Sequence, residues 1–543
     1  MHAFGFSNPL GSGSIWNVLT RRNESILWLL LLLVASFLRL APIGASLPYI
    51  DYVDEGYALH QAIRVLNQRT LDTGWYGYPS LPAYLSAAAL IVWNPIYRNA
   101  HGHSFRDDLP RDDEAQTPSG YNYDLIAPSE LILAGRLIAA ALSVGTVALA
   151  GVVAFKLEGR FAALVAILLA ALCPALVLRG SNVIVDTFAT FFVLLALYFC
   201  ERFRVAAERV ALSVAAAGLS AGLAFASKYT AGLVFVAIVL QVWMIPLAKA
   251  ARVRLTAFAF AGLTLGILTG APATFFHWPT VMRDVAVTAG NYRIIASRPG
   301  YFGQAVDSAE LGWILALAGV IGLVLMVRRA STRPSALAWL VFVFALLAIF
   351  VGKPFQPFRN LLPVAPLFCI AGAIAFSRLL EQPARWRVRL TAAILLISAT
   401  AGASAFASWS RIQFRMTHRD SRLQAIDWLR QRVSKDDKVL VIRELAVLPA
   451  ERKRLAANST VAPLCEASEA LEREHFDFVL TGEFDIRHAL DRDTTAACLA
   501  RWKEKTNALV PAADFGSGPS FVVPYVWRTN DQHIVILRPN PSD

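Results

Sequence analysis

Three carboxylates occupy places where an apolar chain rarely keeps a charge without a reason. Asp54 and Glu55 sit in Tyr49-Ile-Asp-Tyr-Val-Asp-Glu-Gly-Tyr57, directly after a long apolar run. Asp186 ends Arg179-Gly-Ser-Asn-Val-Ile-Val-Asp186, between two further apolar runs. Acids at a membrane boundary are costly to desolvate unless they have a partner or a task. The task open to Asp54 is that of a general base or a substrate-orienting carboxylate. The competing reading for it is a solvated cap on the helix that begins near Gly56, since acids favour a helix first turn. Asp186 carries the same two readings, or pairs with Arg179.

Basic residues answer these acids. Lys353 and Arg359 stand in Gly352-Lys-Pro-Phe-Gln-Pro-Phe-Arg-Asn-Leu-Leu-Pro363, before another apolar run. Such a pair suits an anionic phosphate, for which arginine offers a forked donor set. It also suits snorkelling to lipid headgroups. Lys228 lies between two apolar runs, and Arg136 lies inside one. His101, His103, Asp107, Asp108, Asp112, Asp113 and Glu114 share one polar stretch, where a divalent metal is possible and a solvated loop is the simpler expectation. No phosphate-binding glycine loop or dinucleotide fingerprint is present.

The elements that must position these groups follow from composition. Of 543 residues, 56% are hydrophobic and 17% charged, and mean hydropathy is +0.49. Soluble domains carry about 25% charged residues, so a soluble globular chain is excluded. Eleven segments are long and apolar enough to span a bilayer: 25–43, 130–155, 161–178, 183–200, 210–226, 229–248, 255–275, 308–327, 334–351, 358–377 and 388–408. Segment 80–97 is apolar too, but Pro79, Pro82 and Asn94-Pro95 break it, and it reads as an interfacial or re-entrant helix. With 80–97 outside the count, fifteen basic residues gather on one side, as cytoplasmic loops do. The acids, Lys353, Arg359, the long first loop 44–129 and the chain after 408 then share the opposite side.

Residues 409–543 are different in kind. They carry 20 basic and 19 acidic side chains and are nearly neutral. The chain therefore reads as a membrane part, 1–408, followed by a soluble extracytoplasmic α/β domain, 409–543. Helical spacing covers 422–433, and strand patterns cover 438–443, 476–481 and 533–538. Gly516-Ser-Gly-Pro519 reads as a turn. Cys465 and Cys498 fall in this part and could pair, because the compartment permits a disulfide. Cys173, Cys200 and Cys369 lie in spans and read as buried small apolar residues. The net charge of +12 belongs to membrane loops and does not indicate nucleic acid.

In order along the chain, Arg39, Asp54-Glu55-Gly-Tyr57, Tyr78-Pro79-Ser-Leu81, Ala134-Gly-Arg136-Leu137, Asp186-Thr-Phe-Ala-Thr-Phe-Phe192, Ala226-Ser-Lys228-Tyr229-Thr230 and Arg359-Asn-Leu-Leu-Pro363 form a set. This set resembles the GT-C glycosyltransferases, in particular the family 39 group of protein mannosyltransferase and aminoarabinose-transferase type. The resemblance covers roughly 30–410. It implies an α-helical polytopic membrane enzyme that moves a sugar from a polyprenyl-phosphate donor to a lipid (lipid A), glycan or protein acceptor, at the outer face of a bacterial inner membrane. It implies Asp54 as base, with Glu55 and Asp186 assisting, and Arg359, Lys353 and Lys228 on the donor phosphate. Tyr57, Tyr78 and Arg136 become possible substrate contacts. Tyr78-Pro79 stands where the aminoarabinose type has Lys-Pro, and Arg359-Asn360 where the mannosyltransferases favour Arg-Tyr or His-Tyr, so sugar and acceptor stay open. The rival class is a multispanning transporter or flippase, which would place ionisable groups near the bilayer midplane on broken, repeated helices.

Overall fold

The computed structural model describes residues 21–52, 54–110, 128–205, 209–291, 300–307, 310–380, 386–445, 447–455, 458–482, 492–516 and 533–540. Asp112, Asp113 and Glu114 of the first loop, and most of the 516–519 turn, lie outside the described residues. The helices are α1 (Arg21–Leu40), α2 (Glu55–Gln68), α3 (Leu81–His101), α4 (Ser129–Glu158), α5 (Arg160–Leu172), α6 (Pro174–Arg179), α7 (Val185–Val205), α8 (Val210–Ser227), α9 (Val234–Met244) and α10 (Lys249–Gly270). They continue as α11 (Ala273–Phe276), α12 (Trp278–Asn291), α13 (Tyr301–Val306), α14 (Trp313–Arg328), α15 (Arg333–Phe350), α16 (Ala365–Leu380) and α17 (Trp386–Thr417).

Seven helical segments among the described residues are long and apolar enough to cross a membrane. Three shorter apolar helical stretches, Arg160–Leu172, Tyr229–Met244 and Trp313–Arg328, join them. The eleventh expected span corresponds to α7, whose last turns carry Glu201, Arg202 and Arg204. This is a multi-pass membrane protein. The exposed faces of the helices agree: on α1, Leu29, Leu30, Leu33 and Phe37 are all more than half exposed, as lipid-facing side chains are. Segment 80–97 forms α3, with Pro95 inside it.

Helix packing rests on small residues, because lipid gives little hydrophobic drive between helices. Gly218 and Gly222 of α8 face Gly262 and Gly266 of α10. A methyl group added at Gly218 would lie 2.0 Å from the Ala259 carbonyl, and one at Gly222 would lie 2.3 Å from that of Leu263. The contacts advance together along both helices, so α8 and α10 run parallel.

After α17 comes a second apolar core, distinct from the one within the bundle. Its elements are α18 (Ser421–Arg432), β1 (Lys438–Ile442), α19 (Pro449–Arg452), β2 (Asn458–Ala462), α20 (Leu464–Arg473), β3 (Phe478–Gly482), α21 (Arg492–Thr506), β4 (Leu509–Phe515) and β5 (Ile534–Pro539). The sheet order is β2-β1-β3-β5-β4. β1 pairs in parallel with β2 and β3, and β5 is antiparallel to β3 and β4. α18 buries Leu423, Ile426 and Leu429 along one face, with Val433 buried just beyond its end, while Trp428 stays off that face. Cys465 and Cys498 form a disulfide between α20 and α21. Cys173, Cys200 and Cys369 are free and buried.

Candidate active site

Asp54 is the residue just before α2, yet its side chain makes no capping hydrogen bond. The cap reading of this carboxylate therefore fails. It is 4% exposed, and Arg359 Nη1 lies 2.6 Å from its Oδ2. Arg359 comes from a 3₁₀ segment, Phe358–Val364, that leads into α16. The contact is close but not along an N–H bond: Oδ2 receives no aligned hydrogen bond, while Nη1 donates to the Tyr52 hydroxyl at 2.9 Å. Burial pushes the Asp54 carboxyl above its ordinary range. Arg359 and Lys228 pull it down, Asp186 pushes it up, and the net shift is upward. A raised carboxyl in a buried site beside a cation fits a base that must both hold and release a proton.

Asp186 lies in the first turn of α7 and is 1% exposed. Its partner is not Arg179, which forms a forked pair with Glu310 at 2.6 and 2.7 Å. Lys228 Nζ donates to Asp186 Oδ1 at 2.5 Å and to Asn360 Oδ1 at 2.8 Å. Asn360 Nδ2 in turn donates to the Tyr301 hydroxyl at 2.9 Å. Lys228 is placed there because α8 stops: its own backbone turns extended as the last α8 carbonyls are capped. Asn360 follows Arg359, so one short segment reaches Asp54 directly and Asp186 through Lys228.

Glu55 and Arg136 saturate one another. Arg136 Nε and Nη2 each donate to a Glu55 oxygen at 2.8 Å, and Nη1 donates to the carbonyls of Ile43 and Ala45, both at 2.8 Å. Glu55 also accepts from the backbone amides of Asp51, Tyr52 and Val183. Both side chains are fully buried. Four of the five arginine donors are used, and the carboxylate accepts five bonds. The pair fastens α2, α4 and the turn before α7, and so fixes the spacing of Asp54 and Asp186, as expected of a Glu55 that assists placement of the base.

Tyr57 lies one turn beyond Asp54 on α2. Its ring stacks on Trp75 at 5.0 Å and meets Tyr78 edge-on at 5.4 Å. The segment carrying these rings is held by Gln61, which donates to the Trp75 and Tyr78 carbonyls. Asp284 of α12 accepts from the Tyr76 amide at 3.0 Å. Lys353 is partly buried, and no ion pair engages it among the described residues.

The remaining polar loop is a separate surface cluster. Asp108 accepts from the Tyr97 hydroxyl at 2.5 Å and contacts His103 at 2.6 Å, and His101 stacks on Tyr97. Among the described residues, no group of three or more His, Cys, Asp or Glu side chains is placed to hold a metal.

Sequence reasoning did not single out Tyr52, Tyr301, Asn360 or Glu310. Tyr52 and Asn360 stood within the motifs of Asp54 and Arg359. Tyr301 and Glu310 carry no local signal, since their partners lie far away in the chain.

The comparisons with known proteins agree with this architecture. The family model described as dolichyl-phosphate-mannose-protein mannosyltransferase matches residues 127–276, a stretch that includes Arg136, Asp186 and Lys228. No curated protein matches the sequence. Among solved structures, ArnT from Cupriavidus metallidurans bound to undecaprenyl phosphate is similar at TM-score 0.55 and 12% identity, covering 96% of this chain and 99% of that one. The oligosaccharyltransferase AglB from Archaeoglobus fulgidus, with an inhibitory peptide and a dolichol-phosphate, gives TM-score 0.51 and 13% identity, covering 95% and 76%. The apo oligosaccharyltransferase of the same organism gives 0.52 and 11%, covering 93% and 76%. The fold is that of the GT-C glycosyltransferases.

Proposed function

We propose that the protein is a membrane glycosyltransferase that moves a sugar from a polyprenyl-phosphate donor to an acceptor hydroxyl or other nucleophile. The observation that carries this reading is the buried Asp54–Arg359 pair, a base and a phosphate-binding cation 2.6 Å apart. The similarity to a structure holding undecaprenyl phosphate and one holding a dolichol-phosphate supports a lipid phosphate as the carrier.

The chemistry follows from the two charges. A donor phosphate entering beside Arg359 attracts the guanidinium, whose forked donors suit phosphate oxygens. Asp54 then loses its cation and becomes the better base. The acceptor oxygen forms its bond to the sugar's anomeric carbon, and its proton passes to Asp54. The bond from that carbon to the phosphate oxygen breaks, and its electron pair leaves with the polyprenyl phosphate. Arg359, with Lys353 as a second cation, stabilises that leaving charge. Asp186 and Lys228 neutralise each other and hold Asn360 behind Arg359. Tyr57, Trp75 and Tyr78 present ring faces near the base, a surface suited to a sugar or an acceptor. Helix order and loop charge support a site on the outer face of a bacterial inner membrane, with 409–543 on the same side. The sugar is a hexose or a pentose, and the acceptor a lipid, a glycan or a protein.

The test is a transfer assay with purified protein in lipid, offering labelled polyprenyl-phosphate sugars and total membrane acceptors. Wild type is expected to move label, and Asp54→Asn is expected not to. Equal transfer by both would remove Asp54 as base. No transfer with any donor by folded protein would favour transport or scaffolding.

A further inference from the structure

The segment that carries Asp54 is gripped by the chain beyond the membrane part. Tyr49 is 2% exposed. The Arg422 guanidinium lies 3.7 Å over its ring, and the Leu448 amide donates to its hydroxyl at 3.2 Å. Arg422 is itself fixed: it is fully buried, and its Nε and Nη2 donate to the two Asp420 oxygens at 2.9 and 2.8 Å. Tyr49, Leu423 and Leu448 form their own small apolar cluster. Two residues on, Asp51 Oδ2 pairs with Arg415 at 2.6 Å, and Arg415 also reaches Ser181 and Asn182. Tyr52 then holds Arg359, and Asp54 follows.

The polar side chains of Tyr49, Asp51 and Tyr52 are thus each tied to a group outside the first loop. Two of the ties run to α17 and to the region of α18 and α19. A soluble domain that only folded beside the bundle would have no need of a buried cation over a loop tyrosine five residues from the base.

We propose that the C-terminal α/β region is a positioning element of the active site, and that Tyr49 is the residue through which it sets the place of Asp54. This rests on the glycosyltransferase reading for its catalytic consequence, but the mechanical link stands apart from it. Loss of the ring under Arg422 frees the 49–54 segment. Asp54 then shifts against Arg359 and meets more water. A displacement of about 1 Å is enough to cost on the order of a hundredfold in turnover. A more hydrated Asp54 also ionises more readily, so the acid limb of the pH profile moves to lower pH.

The experiment compares Tyr49→Leu and Tyr49→Phe with wild type in the full chain in lipid. Phe keeps the ring under Arg422 and Leu removes it. The expected result for Leu is kcat lower by about tenfold to a hundredfold, an acid limb at lower pH, and binding of undecaprenyl phosphate unchanged. Phe is expected to restore both kcat and pH profile. Hydrogen exchange over residues 49–60 is expected to quicken in Leu and not in Phe. A Leu variant with wild-type kcat, pH profile and exchange would overturn the proposal. So would a loss of kcat with an unmoved pH profile, since that marks a structural defect only. If wild type transfers no sugar, the functional reading fails by itself, and the exchange rates still decide whether the latch exists.

Discussion

Arg359 lies 2.6 Å from Asp54 without aiming an N–H bond at it, while the same nitrogen donates to the Tyr52 hydroxyl at 2.9 Å. The cation is therefore near the carboxylate but directed elsewhere. A well-aligned fork would hold the carboxylate as an ion and leave both groups occupied, as Glu55 and Arg136 do. The looser pair leaves Asp54 Oδ2 without an aligned donor. Asp54→Asn is expected to abolish transfer and to keep binding of undecaprenyl phosphate, measured by titration of the purified protein. Arg359→Gln is expected to weaken that binding and lower kcat by on the order of a hundredfold.

The pH dependence follows from the sign of the Asp54 shift. Burial raises this carboxyl, and the flanking cations only partly offset it. A base must be unprotonated, so with Asp54 in the proposed role activity is expected to be lost as pH falls through the raised value. The acid limb of kcat is expected above the ordinary carboxylate range of about 4. Arg359→Gln removes a cation that favours the ion, and its limb is expected at still higher pH. Asp51 does not contribute to this limb: burial raises it, but Arg415 and Arg136 more than reverse that, and it stays ionised through the same range.

Glu55 and Arg136 give a contrasting expectation. Removing one partner of a buried pair leaves the other charge without compensation, at a cost of about 3–5 kcal/mol. Glu55→Gln and Arg136→Met are each expected to lower the thermal midpoint of the detergent-purified protein strongly. A shifted limb with an unchanged midpoint would place either residue in the chemistry.

Lys228 separates a structural cation from a phosphate ligand. It already serves Asp186 and Asn360, whereas Lys353 makes no ion pair among the described residues. Lys353→Gln is expected to raise the dissociation constant for undecaprenyl phosphate several-fold with stability unchanged. Lys228→Met leaves Asp186 buried and unpaired, and is expected to lower stability as well as turnover.

The Cys465–Cys498 disulfide closes a stretch of 33 residues. Chain-entropy arguments give about 3–4 kcal/mol for a loop of that length. Reductant, or Cys465→Ser, is expected to lower the unfolding temperature of the C-terminal region, followed by exchange over β1–β3, with the bundle unaffected.

The sequence made the acids and Arg359 visible because charges at the ends of apolar runs are expensive. It could not say which cation joins which acid, since Arg179 chooses Glu310 and leaves Asp186 to Lys228. β1 and β3 were legible as continuous apolar runs because both are central and buried. β2 was not, because it is an edge strand whose first three residues face water. β4 is interrupted by Pro511 and a bulge, which blur its alternation. α18 was legible through its apolar stripe. The latch on Tyr49 left no local mark, because Arg422, far along the chain, completes it.

The glycine seam between α8 and α10 limits how a lipid reaches the site. Gly222 and Gly266 bring the two backbones so near that a single added methyl at either would lie under 3 Å from the other helix. A prenyl chain, with its methyl branches, is wider than a single methyl group. The seam is therefore a sealed wall, and a lipid-borne substrate has to slide in sideways through some other gap in the bundle.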